Sequence, residues 1–158
     1  MVITPHVLTG AVLATTTQSP VAAFLLGFIS HFFLDMIPHM DPGVNSHEEA
    51  KNKLNEPWAF WLYAYVLCDF AVAISLFFWL FQRQPNFDII AWGAFGGISV
   101  DLLDSSPITR FIKDLPVYRY FHWFHHTAHF QVHGKYRVWG ILTQLALIGG
   151  VIWFFGRF

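Results

Sequence analysis

The sequence predicts an all-α integral membrane bundle: one domain over residues 1–158, built of about five apolar helices plus an amphipathic, histidine-rich interfacial helix. Three observations carry this. Hydrophobic residues make up 55% of the chain and charged ones only 12%, too little polar surface for a soluble domain of this size. Apolar runs recur at helical length, the clearest being Trp58 to Phe81, interrupted by a single acid, Asp69. Eighteen Phe and seven Trp supply packing bulk and interfacial anchors.

The elements follow from local signals. Thr4 as N-cap and Pro5 at the first helical position open a helix to about Thr17, at about 20 Å short for a bilayer. Gln18-Ser-Pro20 breaks the chain, and Val21 to about Pro38 forms a second apolar helix. Residues 40–57 read as a polar loop in water, with Glu48, Glu49 and Glu56 as a solvated acidic face. Trp58 to Phe81 spans; after the turn at Gln82, Asp88 to Asp104 forms a helix in which Gly93, Gly96 and Gly97 permit close helix approach. Val117 to about Phe130 is amphipathic, with His122, His126 and His129 on one face, His125 beside them and aromatic residues elsewhere. Arg137 to Phe155 is long enough to span.

Nine histidines are the compositional outlier. His31, Asp35 and His39, spaced i, i+4 and i+8, drift only about 40° per step around a helix and so line one face. Ionisable groups on a lipid-compatible helix mark function unless paired. Asp101 and Asp104 sit at a helix C-terminus, where acids oppose the helix dipole, and this favours a ligand role. The lone Cys68 excludes an intramolecular disulfide and a cysteine zinc cluster, leaving His and carboxylate as metal donors. Net charge of −1 gives no polyanion signature, so nucleic acid is not an expected partner. The opening residues lack a basic n-region, so a removable signal peptide is not expected.

Alternating spans bring the motifs to one end. The second helix ends there, the third leaves and the fourth returns, so His6, His31, Asp35, His39, Asp101, Asp104 and the segment from His122 to His129 can meet. That end also carries Lys51, Lys53, Arg110, Lys113, Arg119, Lys135 and Arg137, against Arg83 and Arg157 at the other, which predicts a cytoplasmic site. The metal ligands expected are His6, His31, Asp35, His39, Asp101, Asp104, His122 and His126, with His125 and His129 as further ligands or proton carriers in catalysis. Imidazole and carboxylate suit zinc first, manganese or iron next, and so many donors fit a binuclear site that clamps a phosphoryl group and activates water. Asp69 lies about 17 Å along its helix from Trp58 and is expected to make a structural hydrogen bond.

Gly27-Phe-Ile-Ser-His31-Phe-Phe-Leu-Asp35 resembles the Gly-x-x-Ser-His-x-x-x-Asp signature of small bacterial inner-membrane metal-dependent hydrolases, the LexA-binding inner-membrane group. Thr4-Pro-His6-Val-Leu-Thr-Gly10 resembles that group's opening His-x-x-x-Gly, and Gly96-Gly-Ile-Ser-Val-Asp101-Leu-Leu-Asp104 is similar to its Gly-x-x-x-Pro-Asp-x-Asp-His segment. Val100 replaces the proline, the acids are spaced differently and the motifs come in reversed order. The His-x-x-x-Asp helix also resembles the metal helix of zinc-dependent phospholipase C and related nucleases. The resemblance implies phosphoester hydrolysis, of a lipid or another phosphoester, at a bacterial inner membrane.

Two other classes compete. His122-Trp-Phe-His125-His126 matches one His-x-x-His-His box of membrane di-iron desaturases and hydroxylases, which normally carry several. A non-enzymatic metal sensor, transporter or partner-binding membrane protein would use the same ligands, but transport predicts acids and histidines at several depths, whereas here they concentrate at one end with Asp69 as the exception.

Overall fold

The computed structural model describes residues 1–41, 60–104, 112 and 115–156. The predicted polar loop, from residue 42 on, lies outside them with His47, Lys51, Lys53, Arg110, Lys113 and Arg157. The described chain is all-helical: α1 (Ile3–Ala14), α2 (Pro20–Asp35), α3 (Phe60–Phe81), α4 (Phe87–Asp104), α5 (Pro116–Ala128), a 3₁₀ turn (Gly134–Tyr136) and α6 (Arg137–Phe155). Among the described residues, two stretches are long and apolar enough to cross a membrane, Phe60–Phe81 and Gly134–Phe155; of the about five apolar helices expected, Ile3–Ala14 and Pro20–Asp35 are apolar but shorter. The two long stretches leave most of their side chains at the surface, including Trp61, Leu67, Trp79, Trp139, Leu145 and Trp153.

Two helix starts are set by different devices. Ser19 accepts from the N–H of Ala22 and precedes Pro20, so α2 starts as its sequence dictates. Thr4 is not the N-cap of α1, because a carboxylate from another helix does that work. Asp69 of α3 accepts from the Ile3 N–H at 2.6 Å and from the Thr4 hydroxyl at 2.6 Å, which is the structural role expected of it.

The centre of the molecule is the triangle of α1, α2 and α4, which pack against one another most extensively. Glycine permits it. A Cβ at Gly27 of α2 would collide with the carbonyl oxygen of Gly93, and one at Gly97 with the carbonyl oxygen of His6. With backbones this close, dispersion contacts replace side-chain interdigitation, as in membrane helix pairs. Val7, Leu8, Ala11, Phe77, Phe81, Ile90, Ala94 and Ile98 fill the adjoining core between α1, α3 and α4.

The second helix stops earlier than predicted. It ends at Asp35, and His39 reaches the site on extended backbone beyond Pro38, so the i, i+4, i+8 face holds only for His31 and Asp35. The His39 segment pairs instead with the chain after α5. The Phe130 N–H donates to the Asp35 carbonyl at 2.7 Å, the His39 N–H to Phe130 at 3.2 Å, and the Val132 N–H to His39 at 2.8 Å. From α6, Thr143 donates to the Pro38 carbonyl at 2.6 Å and the Gln144 amide to the Met40 carbonyl at 3.0 Å. Thus the last apolar helix holds the loop that carries His39.

Gly27→Ala is expected to lower stability by about 1–3 kcal/mol through forced helix separation. Gly149→Ala, where a Cβ meets nothing within 4 Å, should leave the thermal midpoint in detergent unchanged or slightly raised. Equal midpoints for the two variants would contradict the close-packed triangle.

Candidate metal centre

Asp35 is fully buried at the end of α2, and five imidazole Nε2 atoms surround its carboxylate. On Oδ1 lie His6 at 3.3 Å and His39 at 3.8 Å; on Oδ2 lie His31 at 3.0 Å, His125 at 3.1 Å and His129 at 3.4 Å. These rings come from α1, α2, the extended His39 segment, α5 and the residue just after α5. His31 Nε2 also lies 3.9 Å from Asp101 of α4.

The outer nitrogens fix which way these rings can bind. His31 Nδ1 donates to the Gly97 carbonyl at 2.8 Å and His39 Nδ1 to the Ile37 carbonyl at 2.8 Å. His125 Nδ1 donates to Asp104 Oδ2 at 2.6 Å. A carbonyl or carboxylate can only accept, so each Nδ1 carries the hydrogen and each Nε2, in the neutral ring, points a lone pair inward. Carbonyl or carboxylate behind, lone pair in front, is the arrangement that orients histidine for a metal.

Two of those lone pairs face each other, since His31 Nε2 stands 3.3 Å from His125 Nε2, and His39 Nε2 stands 3.1 Å from His129 Nε2. Between the neutral rings of His31 and His125 only a cation is attractive: a metal ion, or a proton in its stead. The Met1 ammonium shows the same demand for positive charge, sitting 2.7 Å from Asp35, 3.1 Å from Asp41 and 3.3 Å from His129. Among the described residues, His6, fully buried and stacked on His31 with ring centroids 3.9 Å apart, has no hydrogen-bond partner on either nitrogen, and Asp101 Oδ2 has none either. Orphaned buried donors and acceptors cost about 1–3 kcal/mol each, so their retention fits groups reserved for a ligand.

Three overlapping sets of ligand atoms lie within 4.8 Å of one another here: His6, His31 and Asp101; His31, Asp35 and His125; Asp35, His39 and His129. Asp35 is common to the last two and His31 to the first two. A nitrogen-rich set of this kind can hold first-row transition ions, whereas calcium and magnesium favour oxygen.

Electrostatics outside the apolar spans agrees. Burial disfavours the Asp41 carboxylate, yet the Met1 ammonium holds it well below the usual carboxylate range. Burial, reinforced by the Met1 ammonium, keeps His129 well below its ordinary value and therefore neutral. Burial also works against charging His125, but hydrogen bonds and charges from Asp104 and Asp35 overcome it and push the ring up to about 9. A proton on His125 thus fills the gap between two lone pairs that an ion would fill.

The structure brings His6, His31, Asp35, His39, Asp101, His125 and His129 together. It gives Asp104 a different position, behind His125 and not beside Asp35, and gathers His122 and His126 around Asp104. His129 leaves the helical face it was expected to share with His122 and His126, because α5 ends at Ala128 and extended backbone turns the ring to Asp35. The His122-x-x-His125-His126 box is accordingly split, with only His125 facing inward.

Asp41 falls in the stretch that the sequence predicts as a polar loop, yet it lies 3.3 Å from His129 and 3.5 Å from His39 and accepts from the Gln131 amide. Its one sequence signal is an acid two residues after His39, just before Pro42-Gly43. No protein-family model, curated protein or solved structure matches the chain.

The raised His125 value sets a pH dependence. A group whose folded value exceeds its unfolded one contributes stability fully below the unfolded value and loses it as pH rises through the folded one. In metal-free protein, the stability gap between wild type and Asp104→Asn should be largest between about pH 4, below which the Asp104 carboxylate's own contribution is lost, and pH 6.5, and shrink as pH rises through about 9. Thermal melts in detergent across that range check it; a gap that widens with pH would contradict the assignment.

Proposed function

We propose that the protein is a membrane-embedded, metal-dependent hydrolase of a phosphoester, with a binuclear centre at one end of the helix bundle. The observation that carries this reading is the Asp35 carboxylate buried among five inward-pointing imidazole nitrogens. His6, His31 and Asp101 would hold one ion, and His39, His129 and Asp41 the other, with Asp35 shared between them. Two ions in such a site supply Lewis-acid polarisation and a nucleophilic water at neutral pH.

The chain's own groups supply the rest. Gly97 and Ile37 carbonyls fix the rings of His31 and His39. Asp104 holds His125 with its Nε2 toward the centre, where that atom can take up or release a proton beside the reacting group. The apolar faces of α3 and α6 support insertion in a bilayer, with α1, α2 and α4 as the inner helices and α5 along the interface. Arg119, Lys135 and Arg137 at the site's end, against Arg83 at the other, support a cytoplasmic orientation in a bacterial inner membrane.

Elemental analysis of tag-free, detergent-purified protein should find about two first-row metal ions per chain, zinc foremost, in the deep centre, lost in Asp35→Ala. Metal-loaded wild type should hydrolyse a chromogenic phosphodiester, and Asp35→Ala should lose at least about a hundredfold of that rate. Absence of stoichiometric metal from wild type would overturn the reading; iron with dioxygen-dependent lipid oxidation would replace it with the di-iron class.

A further inference from the structure

We infer that Asp104, His122 and His126 form a second metal site, separate from the Asp35 centre, that takes one borderline divalent ion of the zinc class and exchanges it rapidly with solvent. His122 and His126 lie one turn apart on α5, with ring centroids 4.2 Å apart, and Asp104 reaches them from the end of α4. One ligand atom from each of the three falls within 4.8 Å of the others. Two imidazoles at i, i+4 with a carboxylate from a neighbouring helix give three protein ligands and leave the fourth tetrahedral position open.

The site is distinct because one ring separates it from the deep centre. His125 places Nδ1 on Asp104 Oδ2 at 2.6 Å and Nε2 on Asp35 Oδ2 at 3.1 Å, so the two carboxylates stand on opposite sides of the same imidazole. An ion at Asp104 cannot also be held by Asp35.

Its surroundings differ as well. Asp35, His6, His31 and His39 are wholly buried, whereas His122 is 22% and His126 43% exposed. Asp104 itself stays buried, with Oδ1 accepting from the Tyr118 hydroxyl at 2.8 Å and from His122 Nδ1 at 2.6 Å. Tyr118 stacks on His122 with near-parallel rings and thereby holds that side of the site. His126 stands 4.0 Å from Asp104 Oδ2, and its half-exposed ring can close that gap by rotating about its side-chain bonds. Fixed carboxylate, oriented first imidazole and swinging second one make a site that forms and opens without repacking the core.

The test is a metal count in two kinetic classes on tag-free, zinc-loaded wild type in detergent: ions removed within seconds by a mild chelator, and ions that resist it. Wild type should show one fast ion besides the slow ones. His122→Ala/His126→Ala should lose the fast ion and keep the slow ones; Asp35→Ala should keep the fast ion and lose slow ones. The single change His126→Gln, at a surface-exposed ring, should weaken the fast ion about tenfold or more. An unchanged fast class in the double variant, or no fast class in wild type, overturns the second site and leaves the deep centre to be judged by Asp35→Ala alone.

Discussion

A carboxylate taken out of water costs several kcal/mol unless its charge is balanced, and Asp35 has no access to solvent at all. The rest of the molecule is arranged around balancing it. Five rings converge on its two oxygens, and three of them are turned by a group behind: the Gly97 carbonyl for His31, the Ile37 carbonyl for His39, the Asp104 carboxylate for His125. Because these three rings, when neutral, point lone pairs and not hydrogens inward, they cannot balance Asp35 by themselves. They add to its demand for a cation, which a proton on His125, the Met1 ammonium or metal ions can meet.

The helix packing follows from the same requirement. His6 and His31 stack at 3.9 Å only because α1, α2 and α4 approach at backbone distance, and they approach so closely because Gly27, Gly93 and Gly97 carry no side chains. The Gly97 region serves twice, since its missing Cβ admits the His6 backbone while its carbonyl orients His31. Asp69 fixes the start of α1 from α3, which sets the height of His6, two residues after Thr4. Apolar α6, with no ligand of its own, places His39 through Thr143 and Gln144.

Much of this was legible. Helical periodicity located His31 and Asp35 on one face, alternation of apolar segments brought His6, Asp101 and the α5 histidines to the same end, and the depth of Asp69 marked it as structural. What escaped depended on backbone departures from the helix. Helical periodicity puts His39 on the face of His31 and Asp35, whereas Pro38 carries it off the helix and Gln131 pairs with it. His129 likewise leaves α5, and a helical wheel could not show that its partner is His39. Asp41 was hidden by polar neighbours, because composition cannot tell a solvated loop acid from one folded back onto histidines. The division of the histidines into a group on Asp35 and a group on Asp104 rests on the rotation of α5 about its axis, which only tertiary packing decides.

Anomalous diffraction at the metal absorption edges, from crystals of metal-loaded protein, addresses the central claim most directly. The account predicts two peaks about 3.5–4 Å apart, both within coordination distance of the Asp35 carboxylate, with His6 and His31 on one and His39 and His129 on the other. Density without an anomalous peak beside Asp35, in protein that binds metal elsewhere, would contradict it.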